Sequence, residues 1–219
     1  TVILANFDAG SYLAFATKRG IIKKTALEQF ERVRSSGIIA ITLDKGDELA
    51  QVITTSGQDD LILATRQGRM CRFHEREARP MGRTAGGVIG IRLARQGDAV
   101  VSMTVVEPEA DLLVLSETGY GKRVPLSEFR VKHRGGQGVR LIALEGRKTG
   151  LVAAVQQVTE SDEELVLISA HGQVVRTDVR TVNRQKAAAR GVIVMRLAEG
   201  DNHRLGCVPQ RSKIRPQRH

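Results

Sequence analysis

The stretch Leu61–Phe73, LILATRQGRMCRF, decides the fold of this chain, because closely similar stretches begin at Tyr12, Leu112 and Leu165. Each copy is a short apolar run, a polar turn that ends in glycine, and a second short run. The turn glycines recur at intervals of 48, 51 and 53 residues and are Gly20, Gly68, Gly119 and Gly172. Short runs rich in Val, Ile and Leu around a glycine turn predict four β-hairpins.

A second motif follows each hairpin and reads SGIIAITL, GGVIGIRL, QGVRLIAL and RGVIVMRL. It begins 17 residues after the first turn glycine and 19 after the others, at Gly37, Gly87, Gly138 and Gly191. Four copies of two motifs at nearly constant spacing indicate repeats of about fifty residues. We place the repeats at about 1–48, 49–98, 99–150 and 151–209, as one domain over 1–209, followed by a basic tail at 210–219.

The repeats predict an all-β fold with four strands in each. The predicted strands lie near 2–6, 12–18, 21–26 and 38–43, then 49–55, 61–67, 69–74 and 88–93, then 99–106, 111–117, 121–126 and 139–144, and finally 151–158, 164–170, 173–177 and 192–197. A further strand is expected near 203–208, and a helical turn only at 25–31.

Four strands in about fifty residues are typical of a propeller blade. Such a sheet cannot bury both faces alone, so we expect neighbouring blades to stack. The apolar residues ten positions after each turn glycine are predicted to be core: Phe30, Ala78, Phe129 and Val182. A pair of β-sandwiches is the competing architecture, but it does not predict a fourfold sequence period.

The charge indicates a polyanionic partner. Lys and Arg number 34 against 24 Asp and Glu, a net charge of +10. Nucleic acid is the first candidate, an anionic membrane surface the second, and a merely soluble basic protein the third. Trp is absent and Phe and Tyr total seven, which argues against base-stacking platforms and favours contacts to a duplex backbone.

The basic residues recur in register with the repeat. A cation stands four residues after each turn glycine, and others lie in the turns and before the second motif. We predict that a basic rim binds phosphates through Lys18, Arg19, Lys23, Lys24, Arg32, Arg34, Arg66, Arg69, Arg72, Arg79, Arg83, Lys122, Arg123, Arg130, Lys132, Arg134, Arg176, Arg184, Lys186 and Arg190. For any one of them, a solvated surface position is an equally good interpretation.

Catalytic and metal sites are not indicated. The five histidines lack metal-ligand spacing, and Cys71 and Cys207 are predicted to be small apolar packing residues. We therefore expect no catalytic residue, no metal and no cofactor. The glycine-rich stretches 84–87 and 134–138 are either phosphate-binding nests or plain turns.

The stretches TKRGIIKKTALEQF, GDELAQVITTSGQDDLILATRQGRM, GGVIGIRL and GYGKRV resemble the C-terminal domain of the bacterial DNA gyrase A subunit. The resemblance covers about 1–209, and the topoisomerase IV subunit is a near relative. It implies a β-pinwheel, a propeller variant whose neighbouring blades exchange strands. It also implies an outer basic rim that binds, bends and wraps duplex DNA and presents it for strand passage.

The resemblance further implies a non-catalytic domain of an ATP-dependent type IIA topoisomerase, in which the cleaving tyrosine lies on another domain. The expected partners are duplex DNA, the rest of the gyrase A subunit and the gyrase B subunit, with no membrane. The expected location is cytoplasmic and nucleoid-associated, and the isolated domain is expected to be monomeric.

Two departures from the family bear on these expectations. The family commonly has six blades and this chain has four, so we expect a piece of a longer protein that lacks the first two. The family's box Q-R-R-G-G-K-G has its nearest match at 132–138, KHRGGQG, in the third repeat.

The alternative functions are a protein-interaction propeller and the equivalent topoisomerase IV domain. For the DNA-binding rim, we expect charge reversal at Arg123 together with Arg134 to weaken DNA binding without unfolding the domain.

Overall fold

The computed structural model describes residues 11–32, 36–159, 162–197 and 206–211, and within them the chain is all-β, as predicted. The strands are β1 Tyr12–Thr17, β2 Ile21–Ala26, β3 Leu49–Thr55, β4 Asp60–Thr65, β5 Arg69–His74, β6 Val88–Ile89, β7 Val100–Val105, β8 Asp111–Ser116, β9 Tyr120–Pro125, β10 Val139–Arg140, β11 Val152–Val158, β12 Asp162–Ile168, β13 Val174–Asp178, β14 Val192–Ile193 and β15 Gly206–Arg211.

The chain forms two compact units. The first, Thr1–Val106 with Phe129–Arg140, contains two four-stranded sheets of order β3-β1-β2-β6 and β10-β5-β4-β7. The second, Glu107–Glu128 with Leu141–His219, contains a four-stranded sheet, β11-β8-β9-β14, and a three-stranded one, β13-β12-β15. Every strand pairing in the described residues is antiparallel.

Each sheet is built on one predicted hairpin and completed by later parts of the chain. The short strand β6 belongs to the second repeat, yet it pairs with β2 of the first, Ile22 opposite Val88. In the same way β10 pairs with β5, and β14 pairs with β9. The strand exchange that the resemblance implied is therefore present, and it explains why 129–140 belongs to the first unit.

The exchanged strands are shorter than predicted. The stretches 88–93, 139–144 and 192–197 were expected to be strands throughout, but only their first two residues pair. Beyond that point the chain leaves the sheet and enters the core, where Ile91, Ile142 and Met195 are buried. In the first sheet the carbonyl of Gly20 accepts both following N–H groups, those of Gly90 and Ile91, at 2.8 and 3.1 Å.

One predicted strand is wrong: residues 38–43 form no strand, and Ile38, Ala40 and Ile41 instead pack against the apolar cluster of Leu13, Phe15, Leu27 and Phe30. The predicted strand at 2–6 lies outside the described residues, and so does the start of the one near 203–208. The predicted helical turn at 25–31 is a 3₁₀ turn, and the second hairpin strand leads directly into such a turn in all four repeats, at Leu27–Phe30, Glu75–Glu77, Leu126–Glu128 and Val179–Thr181.

Within each unit, one cluster of apolar side chains includes residues from both sheets, and the first unit has a further cluster that contains Phe15 and Phe30. In the first unit, Ile22 packs in a cluster with Leu63 and Phe73, and in the second, Leu113 packs with Leu167. The four residues predicted as core are all buried: Phe30, Ala78, Phe129 and Val182. Burial between adjacent sheets is the source of stability that a single four-stranded sheet lacks.

Candidate nucleic-acid interface

Three loops run from a 3₁₀ turn to an exchanged strand and carry many of the predicted cations. We call them the exchanged loops; they span 78–87, 129–138 and 182–191. Each loop is held by an equivalent main-chain hydrogen bond of 2.8 Å, whose acceptor is the carbonyl of the residue four positions after a turn glycine. These bonds are Met81 N to Lys24 O, Lys132 N to Arg72 O, and Gln185 N to Arg123 O. The loops therefore occupy equivalent positions on three hairpins.

The cations four residues after each turn glycine are paired within their own sheets. Arg72 lies 2.9 Å from Asp60, Arg123 lies 3.6 Å from Asp111, and Arg176 pairs with Glu164. Each carboxylate stands eight residues before the same turn glycine, so hairpin pairing brings it diagonally across from its arginine. Sequence reasoning missed this pairing, although an acid and a cation twelve residues apart recur in three repeats.

The first repeat uses an aromatic ring in place of that acid. Tyr12 stands eight residues before Gly20, and the Lys24 ammonium lies 4.9 Å from the centre of its ring. Lys24 also forms a buried ion pair of 3.2 Å with Glu75. A cation–π contact and the carboxylate of Glu75 thus replace the single acidic partner that the hairpin itself supplies in the other three repeats.

These paired cations also anchor the exchanged loops. Arg72 Nη1 donates to Phe129 O at 3.2 Å, and Arg123 Nε donates to Val182 O at 2.8 Å. Each guanidinium therefore joins a hairpin strand to the first residue of an exchanged loop. A buried or half-buried cation with such partners positions the loop rather than standing ready for a phosphate.

Lys23 and Lys122 are fully buried and lie beneath the exchanged loops. The Lys122 ammonium donates to three loop carbonyls, Lys186 O at 2.8 Å and Ala187 O and Ala189 O at 2.9 Å. The Lys23 ammonium donates to Ala40 O and Arg83 O. Burial lowers the pKa of Lys122 to about 8, and burial together with the nearby Arg83 lowers the pKa of Lys23 to about 8.

The second sheet has Cys71 where the first and third have these lysines. Its sulfur lies 3.8 Å from His133 O, the carbonyl that corresponds to Lys186 O. Burial raises the pKa of the thiol to about 11, with a further contribution from Glu77. Cys71 is thus a buried neutral packing residue, as predicted, while the side chain of Cys207 is outside the described set.

The exchanged loops also carry exposed cations. Arg79, Arg130, Lys132 and Lys186 are exposed, and Arg83 is half-buried. None of the five side chains forms an ion pair with a described residue. At least one such cation is present on each loop, and Arg79 and Arg130 occupy equivalent positions on the first two.

Three other loop arginines have partners. Arg134 donates to Glu77 O and Ile89 O at 2.8 Å, Arg184 pairs with Asp111 at 2.9 Å, and Arg190 pairs with Glu145 at 2.7 Å. Arg134 therefore ties its loop to the neighbouring exchanged strand. Arg123 likewise donates to Val182 O. Charge reversal at Arg123 and Arg134 would break the hydrogen bonds of both side chains to main-chain carbonyls. Contrary to our expectation, this double variant therefore cannot test DNA binding separately from stability.

The remaining candidates lie elsewhere on the sheets. Lys18 pairs with Glu48 at 2.7 Å, and Arg69 donates to Gln137 O and Gly138 O, both at 2.7 Å. Arg19 and Arg32 are exposed and Arg66 is half-buried, whereas Arg34 lies outside the described residues.

The glycine-rich stretch 134–138 packs tightly within the first unit. The N–H of Gly135 donates to Gly90 O at 2.6 Å, so it is not free for an anion. Gly138 has a φ of 68°, and a Cβ there would lie 2.5 Å from Met70 O. These glycines permit a close backbone approach, which favours the turn interpretation over the nest.

In the described part of the chain, no group of three His, Cys, Asp or Glu side chains is placed to hold a metal ion. Within the same ranges no helix has the length and apolar character needed to cross a membrane.

Comparison with known proteins identifies the family. The profile described as "DNA gyrase C-terminal domain, beta-propeller" matches residues 11–56, 59–107, 110–159 and 163–202. This chain belongs to the DNA gyrase C-terminal domain family. Each matched segment begins within one residue of the first strand of a hairpin, so the family's repeat and the four hairpins coincide.

Similar proteins agree with this membership. The DNA gyrase A subunit of Staphylococcus epidermidis is 41% identical over 191 residues, 86% of this chain and 21% of that protein. The Staphylococcus aureus subunit is 40% identical over the same shares. This chain thus spans about a fifth of the length of these relatives.

Two solved structures share the fold. The C-terminal domain of a DNA topoisomerase IV superposes with a TM-score of 0.86 at 25% identity, covering 94% of this chain and 64% of that one. A DNA gyrase A C-terminal domain superposes with a TM-score of 0.83 at 27% identity, covering 93% and 68%. The predicted β-pinwheel fold is confirmed.

Proposed function

We propose that this chain is the duplex-DNA-binding and bending domain of a gyrase A-type topoisomerase subunit. Its family membership and its similarity to gyrase A subunits support this function. The observation that supports the proposal most directly is that each of the three exchanged loops carries at least one exposed cation. Cations that recur once per sheet match a phosphate backbone, which repeats its charge along its length.

The main residues that we propose to contact DNA phosphates are Arg79, Arg83, Arg130, Lys132 and Lys186. Phosphate contacts of this kind do not depend on base sequence. The paired or buried cations beneath them, such as Arg72, Arg123 and Lys122, hold the loops in place. The other predicted rim residues would add contacts where DNA continues around the domain.

In the whole enzyme, the proposed role is non-catalytic. The domain would form one pinwheel over 1–209 with its basic tail, wrap DNA, and present it for ATP-dependent strand passage by the gyrase A and B subunits. The proposed location is the bacterial cytoplasm, in association with the nucleoid.

The test compares two triple variants with the same change in charge. Arg79, Arg130 and Lys186 provide one cation from each exchanged loop, and all three are changed to Gln. The control changes Arg95, Arg147 and Lys45 to Gln, which are exposed cations in the turns that follow the second motifs. Both variants keep a net charge of +7, because each loses three of the +10 charges.

Binding to a duplex is measured by fluorescence anisotropy over a range of salt concentration. For the loop variant we expect a loss of roughly 10- to 100-fold in affinity. We also expect a shallower slope of log affinity against log salt concentration, corresponding to the loss of about three phosphate contacts. The control should stay within about threefold of the unmodified chain. Equal losses in both variants would show that net charge alone drives binding and would reject the exchanged loops as the interface.

A further inference from the structure

The second sheet has a cavity at the position that a lysine side chain fills in the first and third sheets. Cys71 stands three residues after its turn glycine, as Lys23 and Lys122 do after theirs. Beside Cys71 lies a cavity of about 180 Å³, whose lining includes Met70, His133 and Gly136. Because cysteine is much shorter than lysine and carries no charge here, the second sheet does not supply an ammonium group beneath its exchanged loop.

The carbonyls that bind the Lys122 ammonium have counterparts on the loop beside this cavity. When Gly138 is aligned with Gly191, the three acceptors of Lys122 correspond to His133 O, Arg134 O and Gly136 O. Both loops are held by equivalent main-chain bonds of 2.8 Å, donated by Lys132 N in one and by Gln185 N in the other. The second loop therefore offers the same set of carbonyls as the third.

These carbonyls have fewer donors than their counterparts. His133 O has only the thiol of Cys71 at 3.8 Å, which is a weak donor, and Arg134 O has no donor among the described residues. Gly136 O accepts one bond, from Arg92 N at 2.9 Å, whereas Ala189 O accepts the equivalent main-chain bond and the Lys122 ammonium as well. Since a carbonyl oxygen has two lone pairs, all three can bind a further positive group.

A glutamate faces the position beneath each of the two loops. Glu128 Oε2 accepts from Ala187 N at 2.9 Å, and Glu77 Oε2 accepts from the equivalent Arg134 N at 3.1 Å. Burial lowers the pKa of Lys122 and Glu128 opposes this fall, whereas burial raises the pKa of Cys71 and Glu77 adds to this rise. Both glutamates thus create a negative potential beneath the loop, although in the second sheet the side chain there is a neutral thiol.

We propose that the cavity beside Cys71 binds a monovalent cation of the size of potassium or ammonium, which takes the place of the lysine ammonium of the other sheets. Its ligands would be His133 O, Arg134 O and Gly136 O, with Glu77 supplying the counter-charge. Carbonyl oxygens replace the hydration shell of potassium in the same way in channel filters.

The third sheet defines the size of the ion. The Lys122 ammonium lies 2.8–2.9 Å from its three carbonyls. Ammonium and potassium ions have similar radii, whereas Mg²⁺ and Ca²⁺ need oxygen ligands at about 2.0–2.1 and 2.3–2.6 Å. A loop with this spacing therefore favours a large ion with a single charge.

Two cations near the cavity oppose binding. Arg130 and Lys132 contribute to its lining, and Lys132 acts on the Cys71 thiol against the effect of Glu77. Both side chains are exposed, so water and salt screen their charge. We therefore expect weak binding, which is measured best by the protection of the loop backbone at defined salt.

The test is amide hydrogen exchange of the whole chain, followed by NMR in KCl and in choline chloride at equal concentration. Choline has the same charge but is too large for the cavity. Potassium should slow exchange at Lys132 and Arg134 by about 3- to 10-fold, because the bound ion stabilises the closed loop. Gln185 and Ala187 are the internal control, since their loop has its own ammonium and should exchange at equal rates in both salts.

Two substitutions separate the charge from the volume of the missing side chain. Cys71→Lys should protect Lys132 and Arg134 equally in both salts, because the new ammonium replaces the ion. Cys71→Met, the matched control, fills the cavity without a charge and should leave both amides exchanging fast in either salt. No DNA is needed, so the result is independent of the proposed DNA-binding function.

Equal exchange of the unmodified chain in KCl and choline chloride would overturn the proposal and would show that the cavity holds water only. Protection in Cys71→Met equal to that in Cys71→Lys would also overturn it, because filled volume would then be sufficient. A potassium response that persists in Cys71→Lys would place the ion elsewhere. The comparison of the two salts needs no substitution, so it decides the proposal even if a variant fails to fold.

Discussion

Lys122 shows how one buried charge shapes a surface that must carry other charges. Its ammonium donates to three loop carbonyls, those of Lys186, Ala187 and Ala189, and so ties the loop to the hairpin strand beneath it. The same loop presents Lys186 to solvent. Lys122 thus stabilises the exchanged loop from within, and Lys186 is the lysine whose ammonium is accessible to a phosphate.

Replacing Lys122 with Met should lower the free energy of unfolding by about 1–3 kcal/mol at neutral pH, because Ala187 O loses its donor and the carbonyls of Lys186 and Ala189 each lose one of two. Lys186→Met, which removes an exposed ammonium, should change it by less than about 0.5 kcal/mol. Chemical denaturation measures both. Equal effects of the two substitutions would contradict the structural role of Lys122.

The pKa of Lys122 also predicts a dependence on pH. Since burial lowers the folded-state pKa to about 8, below that of an unfolded lysine, the unfolded chain binds more protons above pH 8. The contribution of Lys122 to stability should therefore rise by about 1–2 kcal/mol between about pH 8 and 9.5. Chemical denaturation of the unmodified chain and of Lys122→Met at both pH values measures this contribution as the difference between their free energies of unfolding. A difference that does not change with pH would contradict the prediction.

At the scale of elements, each exchanged strand pairs through only two residues, so its docking depends on close backbone approach. Gly191 precedes β14, has a φ of 93°, and would place a Cβ 2.6 Å from Gly121 O. The N–H groups of Val194 and Met195 then reach Gly119 O at 2.9 and 3.2 Å. A glycine is required here for both conformation and space.

Gly191→Ala should therefore destabilise the second unit by about 2–4 kcal/mol, with faster hydrogen exchange at Val194 and Met195. Gly97→Ala is the matched control, since Gly97 has a φ of 77° but a Cβ added there would meet no atom within 4 Å. It should cost about 1 kcal/mol, from backbone strain alone. If both substitutions had equal effects, close approach at Gly191 would not matter for docking.

At the scale of the whole molecule, the cations of the exchanged loops and of the hairpins beneath them divide into two classes. One class is paired or buried and joins neighbouring segments, as Arg72 and Arg123 do. The other is exposed on the exchanged loops, as Arg130 is. Only the second class can release counterions from DNA when it binds, so the number of phosphate contacts should be well below the total number of cations.

Binding should depend on duplex length. Bending of DNA around the domain, as we propose, would bring more phosphates of a long duplex into contact. A duplex of about 45 base pairs should therefore bind more tightly than one of about 15, and its ends should approach each other. Energy transfer between end-labelled strands measures this approach at low and moderate salt. Equal affinity for both lengths without approach of the ends would contradict bending.

Local pattern was sufficient for the hairpins and the core. The short apolar runs on either side of Gly68 and Gly119 predict the two hairpins to within a few residues, because a hairpin is specified by residues that are close in sequence. The same argument failed for 38–43, where strand formation needs an edge supplied by another part of the chain. It also missed the 3₁₀ turns at Glu75 and Val179, which are too short to show a periodicity.

The sequence by itself determined the all-β class, the fourfold repeat, the buried positions and the excess of positive charge, since each of these depends on residue type and spacing. Tertiary structure alone decided which cations face solvent. Lys23 and Lys186 are both predicted from the sequence to bind phosphate, yet Lys23 is buried beneath a loop and Lys186 is exposed on one. The physical reason is strand exchange, which places main-chain carbonyls of a later repeat over the hairpin of an earlier one. Some of the repeated cations are therefore buried and donate hydrogen bonds to these carbonyls.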